Sequence, residues 1–266
     1  MSDSASDEVS EVGRGYEALF VPALFGPWTE HVLAAAKIQS GERVADVACG
    51  TGVLARAVLE RVGSDGQVDG VDPAPGMLAA ARKIEPRIDW HLASAEELPL
   101  SDAYCDAVVS QFGMMFFADA EAAAREMARV LRPGGRAVVV VWNAVEANPG
   151  YRDVAAFLSR IVSEAAANAV QVPFSMADPA QVTGPLQAAG FKDVVVQTPT
   201  ATARFPSPRV MVEAELRGWL PLFDIHLNED QIASVLEQAE TDLAHLADDS
   251  GAAVFETSAH VVSAVC

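Results

Sequence analysis

The densest group of residues able to do chemistry lies between Arg43 and Ala55, which reads R-V-A-D-V-A-C-G-T-G-V-L-A. Asp46 stands four residues ahead of Gly50, and Gly52 is two further on. Val44, Ala45 and Val47 form a short apolar run of the kind that makes a buried strand. Val53, Leu54, Ala57, Val58 and Leu59 then recur at helical spacing. A glycine turn must join the two. Without a Cβ, the glycines let the backbone bend tightly and let a ligand lie against it. The free amides of the following helix point at whatever sits in the turn. The bland alternative is a strand, a turn and a helix that hold no ligand.

Two ligand classes use this layout. Gly50-Thr51-Gly52-Val53-Leu54-Ala55 fits the dinucleotide pattern G-x-G-x-x-G/A, and Asp72 supplies an acid about 20 positions on. Asp46 argues against a dinucleotide, because its carboxylate would crowd a doubly charged pyrophosphate. It suits a ligand carrying an ammonium group. The D-x-x-x-G-x-G arrangement resembles the first motif of class I S-adenosylmethionine-dependent methyltransferases, whose cofactor carries an amino acid and a sulfonium instead of phosphates. The usual first glycine of that motif is Ala48 here, a small residue that should be tolerated.

Two further matches follow in order. Gln67 to Val71 reads as a second strand closing on Asp72-Pro73, one βαβ step after the glycine turn. An acid there is placed to accept from both hydroxyls of a ribose; the alternative is a cap for the helix over Pro75 to Ala81. The family shows an acid, a proline-containing turn and Met-Leu at this point, matching Asp72, Pro73 and Met77-Leu78. Val130-Leu131-Arg132-Pro133-Gly134-Gly135, a helix end and a turn into a strand over Arg136 to Trp142, is another of its hallmarks.

The resemblance implies site residues. Asp46, Ala48, Gly50 and Gly52 would hold the amino-acid end of S-adenosylmethionine, Asp72 and Pro73 the ribose, and Met77 would pack near the adenine. Ser94 and Ala95, after a third strand over Ile88 to Ala93, would read the adenine. The family usually has Asp where Ser94 stands, and a hydroxyl accepts the adenine amino group more weakly, so the Ala95 backbone gains importance. Gln111, ending a fourth strand over Asp106 to Ser110, and the apolar run Phe112 to Phe117 would border the cofactor's methyl group. Phe20, Trp28, Phe112, Phe116 and Trp142 are the candidate acceptor-pocket residues. Tyr16, Phe20, Phe25 and Trp28 would form either a packed N-terminal helix or a lid over the cofactor mouth.

Composition narrows the partners. Net charge is −19 from 37 acids and 18 bases, a field that repels nucleic acid and anionic membranes. Cys49, Cys105 and Cys266 are too scattered for a disulfide framework, and Cys49 reads as a small buried residue and not a nucleophile. Neither C-x-x-C nor H-x-x-x-H occurs, so no metal site is expected. The longest apolar run, Ala137 to Trp142, is too short to span a bilayer, and the acidic N-terminus does not read as a signal peptide. A cytoplasmic protein is expected. Monomer and homodimer both stay open.

At 266 residues the chain suits one large α/β domain. Residues 1–14 read as a disordered acidic tail, and 15–266 as a class I methyltransferase domain with helical cap insertions at about 143–183 and 207–250. The implied fold is a Rossmann-like seven-stranded sheet in the order 3-2-1-4-5-7-6, its last strand antiparallel, with helices on both faces. Strand six is expected over Phe191 to Gln197 and the last over Ser258 to Val265. The expected enzyme transfers methyl from S-adenosylmethionine to an O, N or C nucleophile of a small, partly apolar acceptor. The resemblance is to the branch that includes ubiquinone and menaquinone biosynthesis methyltransferases. His31, His91 and His226 are candidate bases, with His91 read as a satisfied core histidine and His226 as the better placed, but no base is assigned. The alternatives are a nicotinamide-dependent oxidoreductase, against which Asp46 and the missing Tyr-x-x-x-Lys dyad argue, and a non-catalytic cofactor-binding scaffold.

Overall fold

The structure is a computed structural model that describes residues 15–266; the acidic tail expected over 1–14 lies outside the described residues. Eight strands among them form one sheet: β1 (Arg43–Val47), β2 (Gln67–Asp72), β3 (Asp89–Leu92), β4 (Cys105–Gln111), β5 (Leu131–Trp142), β6 (Lys192–Gln197), β7 (Thr200–Phe205) and β8 (Ala253–Val265). The order is β3-β2-β1-β4-β5-β8-β6, with β7 also paired to β8. Strands β1 to β5 are parallel, and β8 runs antiparallel to both β5 and β6.

The eighth strand has a local cause. Val195 faces Ser263 and Thr200 faces Ser258, so β6 and β7 hold one register along β8. Between them lie Thr198 and Pro199, and a proline has no amide to donate to a ladder. The pair is a single edge strand interrupted at Pro199, which reconciles the expected seven strands with the eight observed. The last strand is also longer than expected, because Ala253 to Thr257 pair with β7.

Alternate residues of β5 enter opposite cores, as the two-residue strand period requires. Val138, Val140 and Trp142 face one layer with α2 (Thr29–Ala36), α3 (Val53–Val62) and α6 (Pro149–Ile161). Ala137, Val139 and Val141 face the other, with α5 (Ala120–Val130) and α8 (Ala180–Ala188). Residues 15–20 are helical and are termed α1; α4 is Pro75–Ile84 and α7 Glu164–Gln171. Helices α9 (Pro208–Ala214) and α10 (Glu229–Asp242) flank a π-helical turn, Glu215–Trp219. Buried residues of α7, α9 and α10 belong to the same apolar cluster as α2 and α3, so the two inserted segments share that core. Helix α8 lies beside α5 and overruns the expected cap boundary at 183.

The sequence also reads Gly134-Gly135 as a C-cap for the preceding helix, and that expectation is corrected. Helix α5 ends on Leu131 in extended conformation, and Gly134, at φ +79°, makes the following turn instead of capping the helix. The Gly134 amide donates to the Cys266 carbonyl, tying that turn to the end of β8.

Candidate cofactor and acceptor site

The strand order reverses between β1 and β4, which opens a crevice beyond their carboxyl ends. Both strands leave the sheet through a non-glycine residue with left-handed backbone, Ala48 at φ +58° and Phe112 at φ +56°. That conformation strains a residue carrying a Cβ, which accounts for glycine being usual at the position of Ala48. Two cavities and an aromatic chamber meet there.

The first cavity is small and polar, lined by Asp46, Ala48, Gly50, Thr51 and Gln111 among others. Asp46 is only 1% exposed, and among the described residues its Oδ2 has no hydrogen-bond partner; Gln111 Oε1 is likewise buried and without one. Burial pushes the Asp46 carboxyl well above its usual range, and Asp72 nearby adds to the rise; the Ala55 amide and the Arg56 guanidinium oppose it. Two orphaned acceptors on residues that line one cavity call for a ligand that brings donors and positive charge. Gln111 itself is held from its other end, its Nε2 donating to the Phe25 carbonyl at 3.1 Å.

The second is a cleft of about 570 Å³, within the range of small-ligand sites. Ala48 and Gly50 line both cavities, and the cleft runs on past Asp72, Pro73 and Met77 to Ser94 and Ala95. Asp72 Oδ2 accepts from the Gly50 amide and Oδ1 from the Ala74 amide, each at 2.8 Å. Helix α4 has Ala74 at its N-cap and no side-chain cap, so Asp72 braces two loops instead of capping that helix. Burial still raises its carboxyl, although both amides lower it.

Gly52 lines neither cavity. A Cβ there would stand 2.3 Å from the Trp90 ring, and the same ring covers Gly70. Gly52 therefore makes room for an indole, and its left-handed backbone (φ +87°) starts α3. Cys49 is buried, and that burial with Asp46 and Asp72 pushes its thiol well above the usual value. A thiol so placed is a packing residue.

The chamber lies on the Trp142 side of the sheet. Phe20, Phe112, Phe116 and Trp142 line it as expected. Phe112 stacks on Trp142 with ring centroids 3.7 Å apart. Trp28 is corrected: it is fully buried and meets Phe112 and Trp142 edge-on, outside the residues lining the chamber or the two cavities. It supports the lining. Tyr16 borders all three spaces, which makes α1 part of their wall. Arg56 fastens that helix by bonding Glu17 at 2.6 Å and the Thr51 carbonyl at 2.7 Å.

No candidate histidine reaches these spaces. His226 is exposed and lines a separate surface cleft with Asn228 and Gln231. His91 bonds Asp69 at 2.8 Å on the partly exposed strand β3, so it is satisfied but not in the core. His31 packs its ring on Trp28. Besides Tyr16, the chamber has two ionisable groups among the described residues that are not singled out from the sequence. Tyr151 donates to Glu215 Oε1 at 3.2 Å, and both residues are buried. Burial raises Glu215 to about 8. The sequence does carry a signal for it: Glu215 lies four residues after Met211, so helical spacing puts a lone acid on an apolar face. Among the described residues, no group of three or more His, Cys, Asp or Glu is placed to hold a metal ion, and no helix is long and apolar enough to cross a membrane.

Comparison with known proteins agrees with this geometry. Residues 44–135 match the family described as methyltransferase domain. A ubiquinone/menaquinone biosynthesis C-methyltransferase of Xylella fastidiosa is 38% identical over 126 residues, covering 45% of this chain and 50% of the relative. The chain thus spans about half the length of the curated relatives it matches. Among solved structures, a putative methyltransferase from an antibiotic biosynthesis pathway of Anabaena variabilis aligns over 90% of this chain and 96% of its own, with TM-score 0.65 and 18% identity. Phosphoethanolamine N-methyltransferase 2 of Haemonchus contortus, solved with S-adenosylhomocysteine, covers 95% of this chain and 56% of its own at TM-score 0.58 and 20% identity. At such identities the structures speak for the fold alone. The family match over the glycine loop and the order of the sheet agree: residues 44–135 are similar to the methyltransferase-domain family, and this part of the chain resembles the C-methyltransferases of ubiquinone and menaquinone biosynthesis.

Proposed function

We propose that this chain binds S-adenosylmethionine and transfers its methyl group, by in-line displacement, to an O, N or C nucleophile of a small, partly apolar acceptor. One observation carries the reading: Asp46, whose buried Oδ2 has no hydrogen-bond partner among the described residues, lines the small cavity at the glycine turn. A pyrophosphate would add two negative charges beside that carboxylate; an ammonium group would neutralise it. The residues present fit the cofactor. Asp46 and Gln111 would hold its ammonium, Asp72 its ribose hydroxyls, and Met77, Ser94 and Ala95 its adenine. Once bound, it supplies a sulfonium-activated methyl group.

The protein's own task is then alignment and exclusion of water. Holding an acceptor at ~3 Å from the transferred group can remove roughly 7–11 kcal/mol of barrier. The aromatic wall of the chamber keeps water from solvating the nucleophile. The segments at about 143–183 and 207–250 supply part of that wall, since Phe174 and Trp219 line it, and act as the acceptor cap. The net charge of −19 fits a cytoplasmic enzyme with a small-molecule acceptor and no nucleic-acid or membrane partner.

A labelled-methyl screen over phenols, amines and carboxylates tests the transfer. Label in at least one class is expected. Silence across all of them despite tight cofactor binding would replace the enzyme with a scaffold.

A further inference from the structure

Among the described residues, one carboxyl group lines the aromatic chamber, and nothing in the cofactor reading uses it. Glu215 is 3% exposed, lines the chamber, and opens the π-helical turn Glu215–Trp219; such turns are frequent at functional sites. Its hydrogen bond is the one from Tyr151. Among the described residues, the other titratable groups lining the chamber are Tyr16 and Tyr151, and neither is a cation. A buried acid without a basic partner is costly unless something enters to bond it.

We propose that Glu215 is the residue that receives the acceptor's proton, that Tyr151 positions it, and that the acceptor presents a single hydroxyl on a flat apolar ring. This rests on the methyltransferase reading. The side-chain acceptors in the chamber are the Glu215 carboxyl and the Tyr16 and Tyr151 hydroxyls. A phenolic hydroxyl brings a single donor, which the Glu215 carboxyl alone can accept. The stacked Phe112 and Trp142 rings give a flat body something to lie along. In the step, the acceptor's O–H bond breaks, the proton goes to a Glu215 oxygen, and the electron pair stays on the acceptor as a phenolate. Burial brings Glu215 to about 8, which narrows the gap to a phenol near 10.

The test uses 1-naphthol, 1-methoxynaphthalene and 1-naphthylmethylammonium as probes on the cofactor-free protein, with calorimetry for affinity and the naphtholate absorption band for ionisation. Wild type should bind naphthol at least about tenfold more tightly than the ether. Glu215→Gln should lose that preference and the band. Tyr151→Phe, which removes the bond that lowers Glu215, should move the pH at which the band appears upward, a change that packing alone would not produce. Equal affinity of naphthol and ether for wild type, or tightest binding of the ammonium, overturns the proposal, and the wild-type panel decides even if a variant fails to fold. S-adenosylhomocysteine binding on the same preparation reports separately on the cofactor reading.

Discussion

The Gly50 amide donates to Asp72 Oδ2 at 2.8 Å, so the glycine turn after β1 and the end of β2 are fixed to each other through one carboxylate. The second oxygen of Asp72 holds Ala74 in the same way. Both oxygens keep a lone pair for a ribose hydroxyl. Asp72→Ala should weaken S-adenosylhomocysteine binding by about 1–3 kcal/mol, read by calorimetry. Unchanged affinity would place the ribose elsewhere.

Gly52 and Trp90 make a stability prediction. Gly52→Ala must accept left-handed backbone and a Cβ 2.3 Å from a ring that is itself held by a bond from Nε1 to the Glu85 carbonyl. The expected loss is about 2–4 kcal/mol in denaturant unfolding. The cost should shrink in a Trp90→Ala background, because the two residues are in contact.

Asp46→Asn should act oppositely on fold and ligand. The folded-state pKa of Asp46 is raised by burial, so between its unfolded and folded values the native state binds more protons than the unfolded one. Stability therefore falls as pH rises through that window. The asparagine variant should melt higher than wild type at neutral pH without ligand, and the difference should close below the usual carboxylate range. Its affinity for S-adenosylhomocysteine should drop by about 1.5–3 kcal/mol. A lower ligand-free melting temperature at neutral pH would contradict the assignment.

Glu215 follows the same sign. Its carboxyl rises from 4.5 to about 8, so the ligand-free protein loses stability as pH climbs from 4.5 toward 8. Glu215→Gln removes this dependence while leaving Tyr151 an acceptor. At pH 8 it should exceed wild type by a few kcal/mol, since each tenfold change in proton affinity corresponds to roughly 1.4 kcal/mol. Parallel stability curves for the two proteins across pH 5–8 would refute the placement.

The cofactor half is legible in the sequence because its signals are local. Asp46, Gly50 and Asp72 lie at strand ends whose apolar runs are short and unambiguous, and the parallel order follows from alternating strands and helices. Less can be read where contacts are remote. Gly52 has the spacing of a ligand residue, yet Trp90, from another strand, covers it. Trp28 and Trp142 carry the same side chain, yet only Trp142 lines the chamber, a distinction set by packing. Tyr151 and Glu215 lie 64 residues apart and meet only in the folded chain. The imidazole at position 226 stands out by its chemistry, whereas a glutamate among many acids does not until its burial is seen.

Calorimetry of the wild-type protein with S-adenosylhomocysteine and, separately, with NAD tests the central claim most directly. Saturable binding of S-adenosylhomocysteine that strengthens as pH rises, with no heat from NAD, is the predicted result. Binding of NAD in preference to the nucleoside would mean that Asp46 does not face an ammonium group, and the proposed methyl transfer would fall with it.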